Sequence, residues 1–223
     1  MQTETDILTL DQFGWTFAFR PTETPSRLLL LLHGWTGDET SMWAFARNFS
    51  EDYTIIAPRA PYSAPPDKGG YSWREIKPST WGSPMLEELH AGANSLVSLV
   101  DNWSATVKIA SPTFDVVGFS QGGALATVLA ALHPKRVGKV AVLSGFVPPG
   151  VDSVLRPHLL DDIRFFWAHG TQDELIAIER GRESIRLLEG AGAKVEFCEA
   201  DVGHRVSKDC RRALEAFLTQ ETL

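Results

Sequence analysis

The sequence predicts an α/β fold, a mostly parallel central sheet with helices on both faces, in a single domain spanning 1–223. Three observations carry that reading. Short, almost wholly apolar runs recur along the chain, stretches with helical spacing lie between them, and two long Pro- and Gly-rich segments interrupt the alternation. A run apolar at every position is what a strand buried on both faces requires. Strands alternating with helices imply parallel order with crossovers. At 223 residues the chain can bury one sizeable core.

Taken in order, "ILTLDQFGWTFAFR" (7–20) reads as antiparallel edge strands around a turn at Gln12-Phe13-Gly14. "RLLLLLHG" (27–34) and "YTIIAP" (53–58) are buried strands, followed by the irregular stretch 58–83. Over 84–103 the residues Leu86, Leu89, Ala93, Leu96, Val100 and Trp103 recur at spacings of three and four, which predicts a helix with Ser83 as N-cap and Pro84 as first helical residue. "TFDVVGF" (113–119) is the next strand, and a small-residue helix over Ala124 to Leu132 follows it. "VGKVAVLSG" (137–145), "IRFFWAHG" (163–170) and "AKVEFCEA" (193–200) complete the strands, with the second irregular stretch at 146–162. Val206, Cys210, Leu214 and Phe217 predict a last helix within 205–220. In open parallel sheets the site lies beyond the carboxyl ends of the strands, where both irregular stretches begin.

Composition narrows the function classes. Hydrophobic residues at 43% and charged residues at 22% are globular, and a net charge of −7 argues against a nucleic-acid surface. The start, "MQTETDILTLDQ", shows no basic n-region or long apolar stretch, and Leu28 to Leu32 is far short of the roughly 20 residues of a membrane span. A cytoplasmic protein is expected. Cys198 and Cys210 are expected to be free, buried thiols, with a disulfide as the alternative. There is no G-x-x-x-x-G-K-[ST], no H-E-x-x-H and no paired C-x-x-C, so phosphate-loop and metal chemistry lack their ligands, and neither cofactor nor metal is expected.

The chemistry concentrates on Ser120. Gly118-Phe119-Ser120-Gln121-Gly122 fits G-x-S-x-G, with a strand run before it and a small-residue helix after it. That strand–turn–helix setting is the nucleophile elbow, in which a sharp turn presents the hydroxyl and the glycines make room for it. A serine needs a base, and here the chain order is Ser, then Asp or Glu, then His. His204, in "ADVGHRV" between the last strand and the last helix, fits better than His158 in an irregular stretch or His169 at a strand end. Asp173, in "HGTQDE" after the preceding strand, fits as the acid better than Glu174 or Asp201. For the oxyanion, the backbone N–H groups of Gln121 and of Trp35, in "HGWTGDE" (33–39), are the candidates.

"LLHGWTGDE", "APRAPY", "GFSQGGALA", "HGTQDE" and "GH" fall in the order seen in the phospholipase/carboxylesterase family of α/β-hydrolases, which includes the acyl-protein thioesterases, and the chain resembles that family over nearly its whole length. The resemblance implies an α/β-hydrolase fold with Ser120, Asp173 and His204 as a triad and Trp35 and Gln121 as oxyanion donors. The chain departs from the family pattern at Trp35, often Leu, at Glu174 to Ala177, usually Val-Val-Pro-like, and in the loop 69–75. The expected activity is hydrolysis of small-molecule carboxylic esters of short to medium acyl chains. Thioester or lysophospholipid hydrolysis is the alternative, and a non-catalytic receptor on the same fold is the alternative from another class. A homodimer is the candidate assembly. Trp73 and Trp81, on loops at the sheet's carboxyl end, are the candidate walls of the acyl or alcohol pocket.

Overall fold

The computed structural model describes residues 8–23, 25–76, 83–110 and 113–220. Eight strands form one sheet: β1 (Leu8–Gln12), β2 (Trp15–Arg20), β3 (Arg27–Leu32), β4 (Tyr53–Pro58), β7 (Phe114–Phe119), β8 (Val137–Leu143), β9 (Arg164–Gly170) and β10 (Lys194–Ala200). Two further short strands, β5 (Tyr62–Ser63) and β6 (Tyr71–Ser72), pair with each other inside the first irregular stretch. The sheet order is β1-β2-β4-β3-β7-β8-β9-β10. Among the described residues of this sheet, only the β1–β2 and β2–β4 pairings are antiparallel. The hairpin turn has Phe13 at φ 57° and Gly14 at φ 78°, the double positive φ that matches the twist of two-residue hairpins.

Successive residues of each strand face opposite layers, and the helices divide accordingly. Leu28, Leu30, Leu32, Val116, Val140 and Val142 pack against α2 (Leu86–Val107), α3 (Gln121–Leu132) and α4 (Ile178–Gly190). Leu29, Leu31, Val117, Ala141 and Leu143 pack against α1 (Trp43–Ala46) and α5 (Lys208–Thr219). The doubly buried strands and the covering helices of the sequence reading are thus present. The start of α2 differs from the reading. The helix begins at Leu86, its entry is held by Met85 N–H donating to Glu88 Oε2 at 2.9 Å, and Ser83 lies outside it.

The cysteines also differ from expectation. Cys198 on β10 and Cys210 on α5 form a disulfide, with Cα atoms 5.7 Å apart, so the reading as two free thiols is overturned. The physical reason is that Cys198 faces the same layer in which the Cys210, Leu214 and Phe217 stripe of α5 packs. Adjacency of that kind depends on tertiary packing.

The amino ends of the strands are tied by charge. Asp115 on β7 is buried, and it accepts from Arg27 and the Tyr53 hydroxyl, both at 2.5 Å, and from Lys139 N–H at 2.8 Å. The fully buried Lys139 ammonium donates to the carbonyls of Phe217 at 3.1 Å, Leu218 at 3.0 Å and Gln220, supplying donors that the last turn of α5 lacks within the helix. Desolvation, reinforced by the Arg27 charge and opposed by Asp115, brings the Lys139 pKa down to about 8. Below that pH the lysine is charged in both folded and unfolded chains, and its burial cost is fully present. Between about 8 and 10 the unfolded chain binds more protons at this position, so stability rises with pH through the window. Urea unfolding at pH 7 to 10 is therefore expected to show wild type gaining on Lys139→Met as pH rises. Parallel curves would refute the assignment.

Candidate active site

Ser120 sits between β7 and α3 with φ 52° and ψ −114°, a backbone conformation costly for a residue with a Cβ. The turn is held from both sides. Ser120 N–H donates to Leu143 O on β8 at 2.8 Å, and Ser120 O accepts the first α3 bond from Ala124 N–H at 3.0 Å. The N–H groups of Gln121, Gly122 and Gly123 therefore precede the first helical bond and point out of the helix start. The glycines permit the geometry. A Cβ at Gly118 would lie 2.2 Å from Gly122 O, and one at Gly122 would lie 2.2 Å from Leu32 O. Helix α3 thus begins in backbone contact with the end of β3. Thr36 and Ser144 also have positive φ, so backbone strain gathers on the loops after β3, β7 and β8.

The loops after β9 and β10 bring an acid and a histidine together. Thr171 N–H donates to Ala200 O at 2.8 Å and Gln172 N–H to Val202 O at 3.0 Å, while a Cβ at Gly170 would lie 2.2 Å from Val202 O. This contact sets the register between the two loops. Asp173 Oδ1 accepts from the N–H groups of Leu175 at 3.0 Å and Ile176 at 2.9 Å, and Oδ2 accepts from His204 Nδ1 at 2.8 Å. The Asp173 side chain is wholly buried, and the His204 side chain is 17% exposed. With Nδ1–H committed to the carboxylate, Nε2 of His204 carries the free lone pair. The His204 ring lies 5.0 Å from that of Phe119, the neighbour of Ser120 in the chain. Among the described residues no hydrogen bond joins Ser120 Oγ to His204.

The rival residues are elsewhere. Asp201 is exposed and accepts from the Thr171 hydroxyl at 3.4 Å. His158 is exposed, pairs with Asp161 at 3.0 Å and borders a groove of about 820 Å³ at the amino ends of the strands, away from Ser120. His169 is buried beneath Asp173. Its Nδ1 accepts the Trp167 indole N–H at 3.3 Å and its Nε2–H donates to Ile176 O at 2.8 Å, so it braces the acid loop.

Trp35 lies 37% exposed on the turn from Gly34 to Gly37. The flanking Thr36 N–H donates to Tyr71 O at 2.9 Å and Gly37 N–H to Gly34 O at 3.0 Å, so neither is available to a ligand. Gln121 uses its side chain separately from its backbone, with Oε1 accepting Trp73 N–H at 2.9 Å. Trp73 itself is only 1% exposed, and its indole N–H donates to His33 O at 2.7 Å. It staples loop 71–74 to the sheet, and it also lines a groove of about 440 Å³ with Tyr62, Tyr71 and Arg59. Trp81 lies outside the described residues.

The sequence reading missed the braces beneath these loops. His33, 1% exposed, donates from Nδ1 to Gly34 O at 2.7 Å and accepts Ala60 N–H on Nε2 at 3.0 Å. Burial lowers its pKa, which keeps the ring in the neutral form that this pair of bonds needs. Arg59 grips Glu39 with two bonds of 2.7 Å. The signals in the sequence were a histidine and an arginine each ending an apolar run, too common a pattern to single out.

Comparison with known proteins identifies the family. The family model described as Phospholipase/Carboxylesterase matches residues 16–221. The chain belongs to that family. The family's α/β-hydrolase fold is the fold of this chain, and the curated relatives it matches include carboxylesterases and one named probable inactive carboxylesterase from Oryza sativa. A relative named probable carboxylesterase SOBER1-like, from Arabidopsis thaliana, is 31% identical over 71% of this chain and 64% of its own length. Acyl-protein thioesterase 1 of Debaryomyces hansenii is 27% identical over 81% of this chain and 85% of its own. Among solved structures, a carboxylesterase from Mesorhizobium loti superposes with a TM-score of 0.80 at 21% identity, covering 96% of this chain and 99% of that one. At that identity the likeness speaks for the fold.

The elbow's tolerance is testable without any substrate. Gly122→Ala places a Cβ against Leu32 O and is expected to cost about 3 kcal/mol, read as a lowered Tm. Gly203→Ala meets nothing nearer than Gln172 O at 3.6 Å and should leave Tm within a degree or two. Equal effects of the two would show that the α3–β3 contact is not the constraint.

Proposed function

We infer that the chain hydrolyses small carboxylic esters of short to medium acyl chains, with Ser120 as nucleophile, His204 as base and Asp173 as the acid that orients it. The observation that carries this is the buried Asp173–His204 hydrogen bond of 2.8 Å on the same sheet edge as the strained Ser120 turn. Ser120 Oγ attacks the ester carbonyl carbon as His204 Nε2 takes its proton. The N–H groups of Gln121 and Trp35 receive the charge on the carbonyl oxygen. Collapse breaks the bond to the alcohol, which leaves with the proton from His204. Water, deprotonated by the same imidazole, then attacks the acyl-enzyme and frees the acid. Before the first step the imidazole must close on Ser120, a tightening that catalytic hydrogen bonds often undergo when substrate binds.

Thioester cleavage is the second reading, supported by the thioesterase relative. A thioester carbonyl meets the same nucleophile and the same donors, so a screen of p-nitrophenyl esters, acyl-CoA thioesters and lysophosphatidylcholine separates the two. A fluorophosphonate probe should label Ser120 covalently, and no labelling would favour a receptor over an enzyme.

Ser120→Ala is expected to lower turnover by on the order of 10⁴ with little change in Tm, because members of such a set act as a unit. Asp173→Asn should cost about 10³ to 10⁴ through a misoriented imidazole, and Asp201→Asn little. The reverse order of the two aspartates would sink the assignment of the acid. Across acetyl to lauroyl esters, kcat/KM should rise about fourfold per methylene and turn over before lauroyl.

A further inference from the structure

Arg180 is a half-buried cation that forms no ion pair with a carboxylate among the described residues, Glu183 acting on it only at longer range. Arg27, Arg59, Arg74, Arg136, Arg164 and Arg182 each face an acidic side chain. Arg20, also partly buried, is spent on the carbonyls of Ala46, Phe49 and Ser50. Arg180 has neither kind of partner among the described residues. Its guanidinium carbon stands 3.7 Å over the Phe146 ring, and Nη1 donates to the Ser83 hydroxyl at 2.7 Å. Burial lowers its pKa, with Glu183 opposing, so the charge sits where water solvates it incompletely.

The position is as informative as the missing partner. Phe146 follows β8 by three residues, and the last residue of β8, Leu143, holds Ser120 N–H. Arg180 N–H donates to Ala177 O at 2.9 Å, just after the loop that carries Asp173. The guanidinium therefore stands where the loops after β8 and β9 meet, on the edge that presents Ser120. Stacking occupies the face of the guanidinium and leaves its edge, and Ser83 takes one of the five N–H donors. Met85 and Leu175, exposed at 47% and 76%, add apolar surface on the neighbouring loops.

We propose that Arg180 is a specificity-determining residue that binds an anionic group, a carboxylate above all, at the far end of an ester held on Ser120. The proposal rests on the esterase reading above. The apolar surface would take the carbon chain between the ester and the anion. In a chain of net charge −7 an anionic substrate is repelled by the surface as a whole, so its acceptance needs a local cation of this kind. The anion can belong to the acyl side or to the alcohol side, and the chemistry of recognition is the same.

Three esters test it: p-nitrophenyl butyrate as the neutral reference, the p-nitrophenyl monoester of glutaric acid with the anion on the acyl side, and the butyrate ester of a carboxylated phenol with the anion on the alcohol side. The readout is the ratio of kcat/KM for each anionic ester to that for the neutral one. In Arg180→Gln one of the two ratios is expected to fall about 10- to 100-fold, mostly through KM, and which one falls identifies the side. Arg180→Lys should recover part of it. Unchanged ratios in both arms overturn the proposal and leave Arg180 as a staple between Ser83 and Phe146. Should Arg180→Gln fail to fold, the wild-type enzyme decides: glutarate is expected to inhibit butyrate hydrolysis competitively and glutaramide not to, and equal or absent inhibition overturns the proposal. If wild type cleaves none of the three esters, the esterase reading itself falls first.

Discussion

The arrangement depends on one close approach, the first turn of α3 against the ends of β3 and β7. Backbone meets backbone there because Gly118 and Gly122 carry no Cβ, and either added carbon would lie 2.2 Å from a carbonyl oxygen. With the helix drawn in that far, the residue joining it to β7 has no relaxed conformation left, and Ser120 takes φ 52°. The same approach puts the unpaired N–H groups of the helix start beside the His33–Gly37 turn. One steric fact thus aligns a strained hydroxyl, a positive helix end and the loop carrying Trp35.

Around that contact, buried polar groups act as braces at the two ends of the sheet. At the amino ends Asp115 gathers Arg27, Tyr53 and the backbone of Lys139, while the Lys139 ammonium caps α5. At the carboxyl ends His33 and His169 bond to loop backbone groups, and Arg59 with Glu39 ties two loops through their side chains. Each is paired by hydrogen bonds, which is the condition for keeping polar groups in such places. The paired arginines and the lysine show how this chain settles buried cations, and Arg180 departs from that habit.

The strands were legible because burial on both faces leaves runs such as Leu28 to Leu32 that few other elements produce. The elbow was legible because its glycines answer a local steric need. Strand–loop order pointed to Asp173 and His204 as candidates, and in the structure they share a 2.8 Å hydrogen bond. Less was readable where contacts are distant in sequence. The disulfide joins a strand to a helix, and neither cysteine's surroundings announce the other. β5 and β6 are two residues each, below any periodicity. Helix α4 carries Gly181 and Ser184 among its buried positions, so its apolar stripe is broken. The direction in which Trp73 points was settled by a hydrogen bond to His33 O, forty residues away.

The order of strands across the sheet has a consequence in time. A ribosome delivers chains from the amino end at about 5 to 20 residues per second, and folding units can form as they emerge. Everything that bends the chain at Ser120 lies within residues 27–145, so that turn can be made while the rest is still being synthesised. The carboxylate and the imidazole arrive afterwards, on the two strands at the far edge, and meet only when β10 pairs with β9. On the proposed mechanism the hydroxyl is in place first and its activating partners last, so a nascent chain would carry the serine in a dormant form until the sheet is closed on that side.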